Sequence, residues 1–171
     1  MDGFIMEIPR RSDGSITFQT MVPVTVPAST SMLEAEDLLM EQSNDAGVAL
    51  TGHLLTARDT SGQPFERDGR RFTGKPKKEV RYVETSYGCA VVWRRAFPSS
   101  LGGVCSQPMD EAACLIGAAT PKFARMVNRK LVELPAAEVV RELRENPARK
   151  TSCNASPASS GRWRRRRSPP P

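Results

Sequence analysis

Little in this sequence could serve as catalytic machinery. Its 171 residues include a single histidine, His53, and no serine or cysteine motif around "TGHLLTAR" marks a nucleophile for it to activate. The four cysteines, Cys89, Cys105, Cys114 and Cys153, contain no Cys-x-x-Cys pair to seed a zinc site, so they read as buried or incidental thiols. No apolar run approaches the length of a membrane span, and the start "MDGFIMEIPRRSDG" carries acids where a secretion signal needs bases. A soluble cytoplasmic protein is therefore expected, with no membrane and no small-molecule substrate. The glycines of "SSLGGVC" lack both a Walker lysine and dinucleotide-fold spacing, and read as a turn. The carboxylates fall in turn sequence (Asp59, Glu66, Asp68) or at a helix start (Asp110, Glu111), which leaves no metal-holding set to nominate.

Positive charge is abundant but badly placed as evidence. The chain carries a formal +6, yet Arg149, Lys150 and arginines 162, 164, 165, 166 and 167 supply seven bases with no acid after them. Residues 1–148 then hold 18 bases against 19 acids, a net −1. The basic character thus belongs to the tail after residue 148, which closes in "SSGRWRRRRSPPP", rather than to the body. Within the body, Arg67, Arg70, Arg71, Lys75, Lys77, Lys78 and Arg81 cluster around Phe72 and Tyr82, a pattern that could follow a phosphate backbone or form a solvated face.

The remaining pattern predicts an α+β fold. Residues 1–30 form an extended lead-in, since the β-branched "FQTMVPVTVP" is broken by prolines. Residues 31–58 are helical: Ser31 and Glu34 make a capping box, Leu33, Leu39 and Met40 supply an apolar stripe, and Gly47 separates a first helix from a shorter one ending near Arg58. Residues 59–108 form a small antiparallel β region. In it Asp68-Gly69 marks one turn, and 80–84 with 89–97 form a hairpin about Tyr87-Gly88, with Cys89, Val91, Trp93 and Phe97 on one face. Residues 109–147 are helical. "DEAACLIGAAT" reads as a short buried helix; Thr120 caps the next, Pro121 opens it, and Phe123, Met126, Val127, Leu131 and Leu134 recur at helical spacing. After Pro135 a second helix turns Val139, Val140 and Leu143 inward, and Pro147 stops it. Two helices joined this tightly match the first half of a helix-turn-helix unit, and equally any helical hairpin. Residues 148–171 read as a disordered Arg/Pro tail.

The stretches "MLEAEDLLMEQSNDAGVALTGHLLTARDTSGQPF", "DGRRFTGK", "VETSYGCAVVWRRAFPSSLGGVC" and "ATPKFARMVNRKLVELPAAEVVRELREN" together resemble, in order, the N-terminal part of bacterial insertion-sequence transposases of the ISKra type. The similarity spans residues 18–146. Its most specific pieces are Tyr87-Gly88 with Arg94 or Arg95, the Ser-Ser-x-Gly-Gly turn at 99–103, and Ala-Thr-Pro-x-Phe-Ala at 119–124. Cys89-Ala90 and Pro147-Ala148 depart from the family pattern.

The resemblance implies a protein of DNA transposition, recognising element ends, whose full-length parent cuts DNA with divalent metal, magnesium, in an RNase H-like domain beyond the matched segment. It carries no catalytic residue and no metal ligand onto this chain, which is expected not to be an enzyme by itself. DNA contact is expected from Arg70, Arg71, Lys75, Lys77, Lys78 and Arg81 in the β region and from Lys122, Arg125, Arg129 and Lys130 on the helix after Pro121. An intact transposase is a further expected partner, and DNA binding would place the chain at the nucleoid. The resemblance also puts a third, groove-entering helix just after Lys150, where the tail stands instead. Back-translated with GC-rich codons and read two bases later, residues 151–171 permit an apolar, helix-compatible text, so the tail is read as a frameshift product and the chain as truncated. The alternatives to a DNA-binding remnant are a non-catalytic protein-interaction module and an inert pseudogene product.

Overall fold

The computed structural model describes residues 5–8 and 12–145. These form an α+β arrangement of four helices and four small two-stranded antiparallel sheets. Strands β1 (Ile5–Ile8) and β2 (Thr17–Thr20) pair at the start. Extended chain then runs through Pro23 and Pro27 to the first helix, as the proline-broken sequence predicts.

Helix α1 (Met32–Thr56) begins on the predicted capping box. The Glu34 N–H donates to Ser31 Oγ at 3.3 Å, and the Ser31 N–H donates to Glu34 Oε2 at 2.9 Å. The expected break at Gly47 does not occur: α1 is continuous over 25 residues. A β-carbon on Gly47 would lie 2.5 Å from Cγ of Tyr87, so this glycine admits an aromatic ring instead of ending the helix. The expected stripe is also corrected, because Leu33, Leu39 and Met40 are exposed, while Ala35 and Leu55 are the buried residues of α1. The C-terminal half of the helix packs on the hairpin of residues 79–94, where Gly47 meets Tyr87 and Gly52 lies over Val91 and Val92.

Strands β3 (Phe65–Arg67) and β4 (Arg70–Phe72) form the predicted hairpin, with Asp68 at φ 51° and Gly69 at φ 67°. Two consecutive left-handed residues make the turn whose twist suits a two-residue hairpin. Strands β5 (Glu79–Glu84) and β6 (Cys89–Arg94) pair about the predicted turn, which Thr85 closes by donating its hydroxyl to the Gly88 carbonyl at 2.8 Å.

The two hairpins are parts of one ribbon. Past Arg94 the chain still pairs with the segment after β4: Thr73 donates to the Pro98 carbonyl, Lys75 to the Ala96 carbonyl, and Phe72 faces Ser99. Seven steps from Phe72 to Glu79 oppose five from Arg94 to Ser99, so the first strand carries two more residues. Pro76 and Lys77 lie in that excess, where a missing N–H costs no ladder bond. Short strands β7 (Phe97–Pro98) and β8 (Cys105–Ser106) complete the sheet segments.

The inward face of β6 is the reverse of the one singled out by period two. Ala90, Val92 and Arg94 are buried, whereas Val91 and Trp93 are exposed; Phe97 is buried because the ribbon has turned at Arg95-Ala96. Leu55 of α1, Val83 of β5, Val92 and Met109 form the main core, with Ala113 and Leu115 against it. A second packing centre joins Phe65 to Phe72 and Phe97, with ring centroids 5.2 and 5.3 Å apart.

Helix α2 (Pro108–Ala112) is shorter and earlier than "DEAACLIGAAT" suggests, since Cys114 takes a positive φ that ends it. Helices α3 (Pro121–Glu133) and α4 (Ala136–Glu145) follow with a tight break at Leu134-Pro135. Thr120 occupies the cap position without a side-chain cap bond, and its N–H instead donates to the Glu84 carbonyl at 2.9 Å. Of the apolar residues expected inside, Phe123 and Val139 are buried, Met126, Val127, Leu134 and Leu143 are half-buried, and Leu131 and Val140 are exposed. Cys105 and Cys114 are free thiols. The expected tail, the stop at Pro147 and the missing third helix lie outside the described residues.

Candidate nucleic-acid interface

The basic cluster of the β region divides by what each cation meets. Arg81 points to the core side, where its guanidinium lies 3.7 Å from Asp110 and donates to the Gly117 carbonyl. Asp110 is shared with buried Arg94, which makes the closer contact. Lys78 pairs at 2.8 Å with Asp59, whose side chain is only 2% exposed, and Asp59 also accepts the Arg95 N–H at 3.2 Å. Lys75 pairs with Glu79 at 2.6 Å. Arg67 pairs with Glu111 at 2.8 Å and lies over the Phe65 ring. Arg70, Arg71 and Lys77 are exposed and have no ion-pair partner among the described residues.

The acids that hold these cations carry a signature of it. Glu111 sits below the usual carboxylate range because Arg67 donates to it, with Ser106 adding to the effect against an opposing burial penalty. Glu79 is lowered by Lys75 in the same way. Apart from the local Lys75–Glu79 pair, sequence order could not pair these groups, since Asp59, Asp110 and Glu111 come from other segments of the chain.

Helix α3 carries the second group. Lys122, Arg125 and Arg129 fall at i, i+3 and i+7, so they share one face of the helix. With Met126, Lys130 and Glu133 they line a groove of about 490 Å³. Lys122 and Arg125 are exposed without an ion-pair partner among the described residues, Arg129 pairs loosely with Glu133 at 3.8 Å, and Lys130 is joined to Glu142 of α4. No acid stands in the first turn of α3, so the positive end of the helix dipole is not offset there.

The two groups occupy opposite ends of the ribbon. The start of α3 is fixed at the turn end by Thr120 and Glu84, and Arg71 sits at the other end, its carbonyl accepting the Ser100 N–H at 2.8 Å. They therefore form two patches rather than one site.

His53 is an exposed residue of α1 whose ring centroid is 6.3 Å from that of Phe18. Among the described residues no three His, Cys, Asp or Glu side chains gather as a metal-holding group would, and no helix is long and apolar enough to cross a membrane. No protein-family model matches the chain, and comparison with curated proteins and with solved structures found no match either.

Proposed function

We propose that this chain is the N-terminal segment of an insertion-sequence transposase of the ISKra type and that it contacts element-end DNA through α3. The observation that carries the reading is the face of α3 on which Lys122, Arg125 and Arg129 align beside a groove, with Lys122 and Arg125 unpaired among the described residues. In this reading α3 and α4 are the leading pair of a helix-turn-helix unit, and the α3 cations neutralise backbone phosphates. Arg129 and Lys130 exchange Glu133 and Glu142 for phosphate on binding. Arg70, Arg71 and Lys77 form an auxiliary patch at the far end of the ribbon. Arg81, Lys75 and Lys78 serve the fold first, through Asp110, Glu79 and Asp59. No catalytic step is assigned to these residues, because the metal-dependent chemistry of the family belongs to a domain outside the matched segment.

A salt titration tests the reading. The full chain, with arginines 164–167 replaced by serine, is titrated with duplexes from the ends of its element and with scrambled duplexes. Retained preference for the element ends, weakening linearly on a log–log salt plot, supports the proposal. Binding that vanishes with the tail arginines and ignores sequence overturns it.

One observation favours a second reading, a protein-interaction module that pairs with intact transposase. Leu131, Val132 and Val140 leave an apolar surface on the α3–α4 pair, and Val132 is 87% exposed.

A further inference from the structure

The outer face of the β5–β6 hairpin carries four large apolar side chains that nothing among the described residues covers. Register places Val80 opposite Trp93 and Tyr82 opposite Val91, so the two aromatic residues stand diagonally on one face. Trp93 is 54% exposed and Tyr82 49%, although α1 and α2 supply a core on the other side of the same strands. Strand alternation puts Glu79 and Arg81 on that other side, where both are engaged in ion pairs. Glu84, at the turn end, is the one carboxylate that alternation leaves on the aromatic face. At the opposite end the ribbon runs into Lys77, which is exposed and has no ion-pair partner among the described residues.

An aromatic surface poor in carboxylate and adjoined by an unpaired cation complements a polyanion that offers ring faces. Single-stranded nucleic acid has that chemistry, whereas a duplex hides its base faces by stacking. A second copy of the chain fits less well. A fully exposed aromatic side chain offers about 150–250 Å², so two half-exposed rings and two valines fall well below the roughly 800 Å² per partner of a stable interface. We propose that this face is a stacking platform for a single-stranded DNA segment, on which Tyr82 and Trp93 each receive a base while Lys77 meets the adjoining phosphate. The proposal rests on the reading that the chain contacts DNA, and extends it from the duplex to an unpaired strand.

Tryptophan fluorescence reads the platform directly. With Trp163→Phe in the full chain, Trp93 is the only tryptophan. Titration with a single-stranded element-end oligonucleotide should quench Trp93, and Trp93→Ala or Tyr82→Ala should each weaken single-strand binding about tenfold, as loss of one stacked base does. Trp93→Phe, which keeps a ring, should restore most of that loss, and duplex affinity should stay within about twofold throughout. Specific duplex binding with an unquenched Trp93, or alanine variants that bind single strands as the parent does, overturns the platform and leaves the duplex reading standing. If neither form of DNA is bound, both readings fail. A Trp93 emission that shifts with protein concentration in the absence of DNA assigns the face to a second copy and overturns the proposal.

Discussion

Tyr87 in the β5–β6 turn occupies the space that a side chain at Gly47 of α1 would need: a β-carbon there would come within 2.5 to 2.9 Å of three ring atoms. Glycine inside a helix ordinarily costs up to about 1 kcal/mol relative to alanine, so Gly47→Ala would stabilise an isolated helix. Here the ring must be displaced near its root, and the exchange is expected to destabilise the protein by about 1–3 kcal/mol. Urea unfolding checks this. With Tyr87→Ala already present, the same Gly47→Ala exchange should become neutral or stabilising, which isolates the contact from helix propensity.

That contact also shows what the sequence leaves illegible. A glycine after a polar helical run has the same local pattern whether it ends a helix or receives a ring from a distant turn. The capping box at Ser31, the Asp68-Gly69 turn and the hairpin pairing were legible because their determinants are neighbours in the chain. The orientation of β6 was not: period two separates Val91 and Trp93 from Ala90 and Val92, but both sets are apolar, and only the arrival of α1 and α2 decides which is covered. The ion-pair partners within the basic cluster were illegible for the same reason, since Arg81 and Lys78 find their carboxylates on remote segments.

Asp110 is the carboxylate that Arg94 and Arg81 share, and Arg94 is nearly buried. Asp110→Ala leaves that guanidinium without its counter-charge, and a loss of about 3–5 kcal/mol is expected in chemical denaturation. The double variant Arg94→Met/Asp110→Ala should lose less than Asp110→Ala alone, because the buried charge leaves with its partner.

Stability should fall on acidification. Glu111 is held below the ordinary glutamate range chiefly by Arg67, and Glu34 and Glu79 are lowered by Ser31 and Lys75. A carboxylate with a depressed folded pKa contributes fully above its unfolded value, about 4.3, and loses that contribution as pH drops through the lower folded one. Urea midpoints should therefore decline below about pH 5, and Glu111→Gln should make the decline shallower while lowering stability at neutral pH.

DNA recognition is assigned to the α3 face and not to the arginine-rich end of the chain. The most direct measurement is the salt dependence of element-end duplex binding for the full chain and for Lys122→Ala/Arg125→Ala, with circular dichroism to confirm the fold. Two lost phosphate contacts should lower the log–log slope by about 2 while replacing arginines 164–167 leaves the preference for element ends intact. An unchanged slope and affinity in the α3 variant, with all binding lost when the tail arginines are replaced, would instead place DNA binding on the tail.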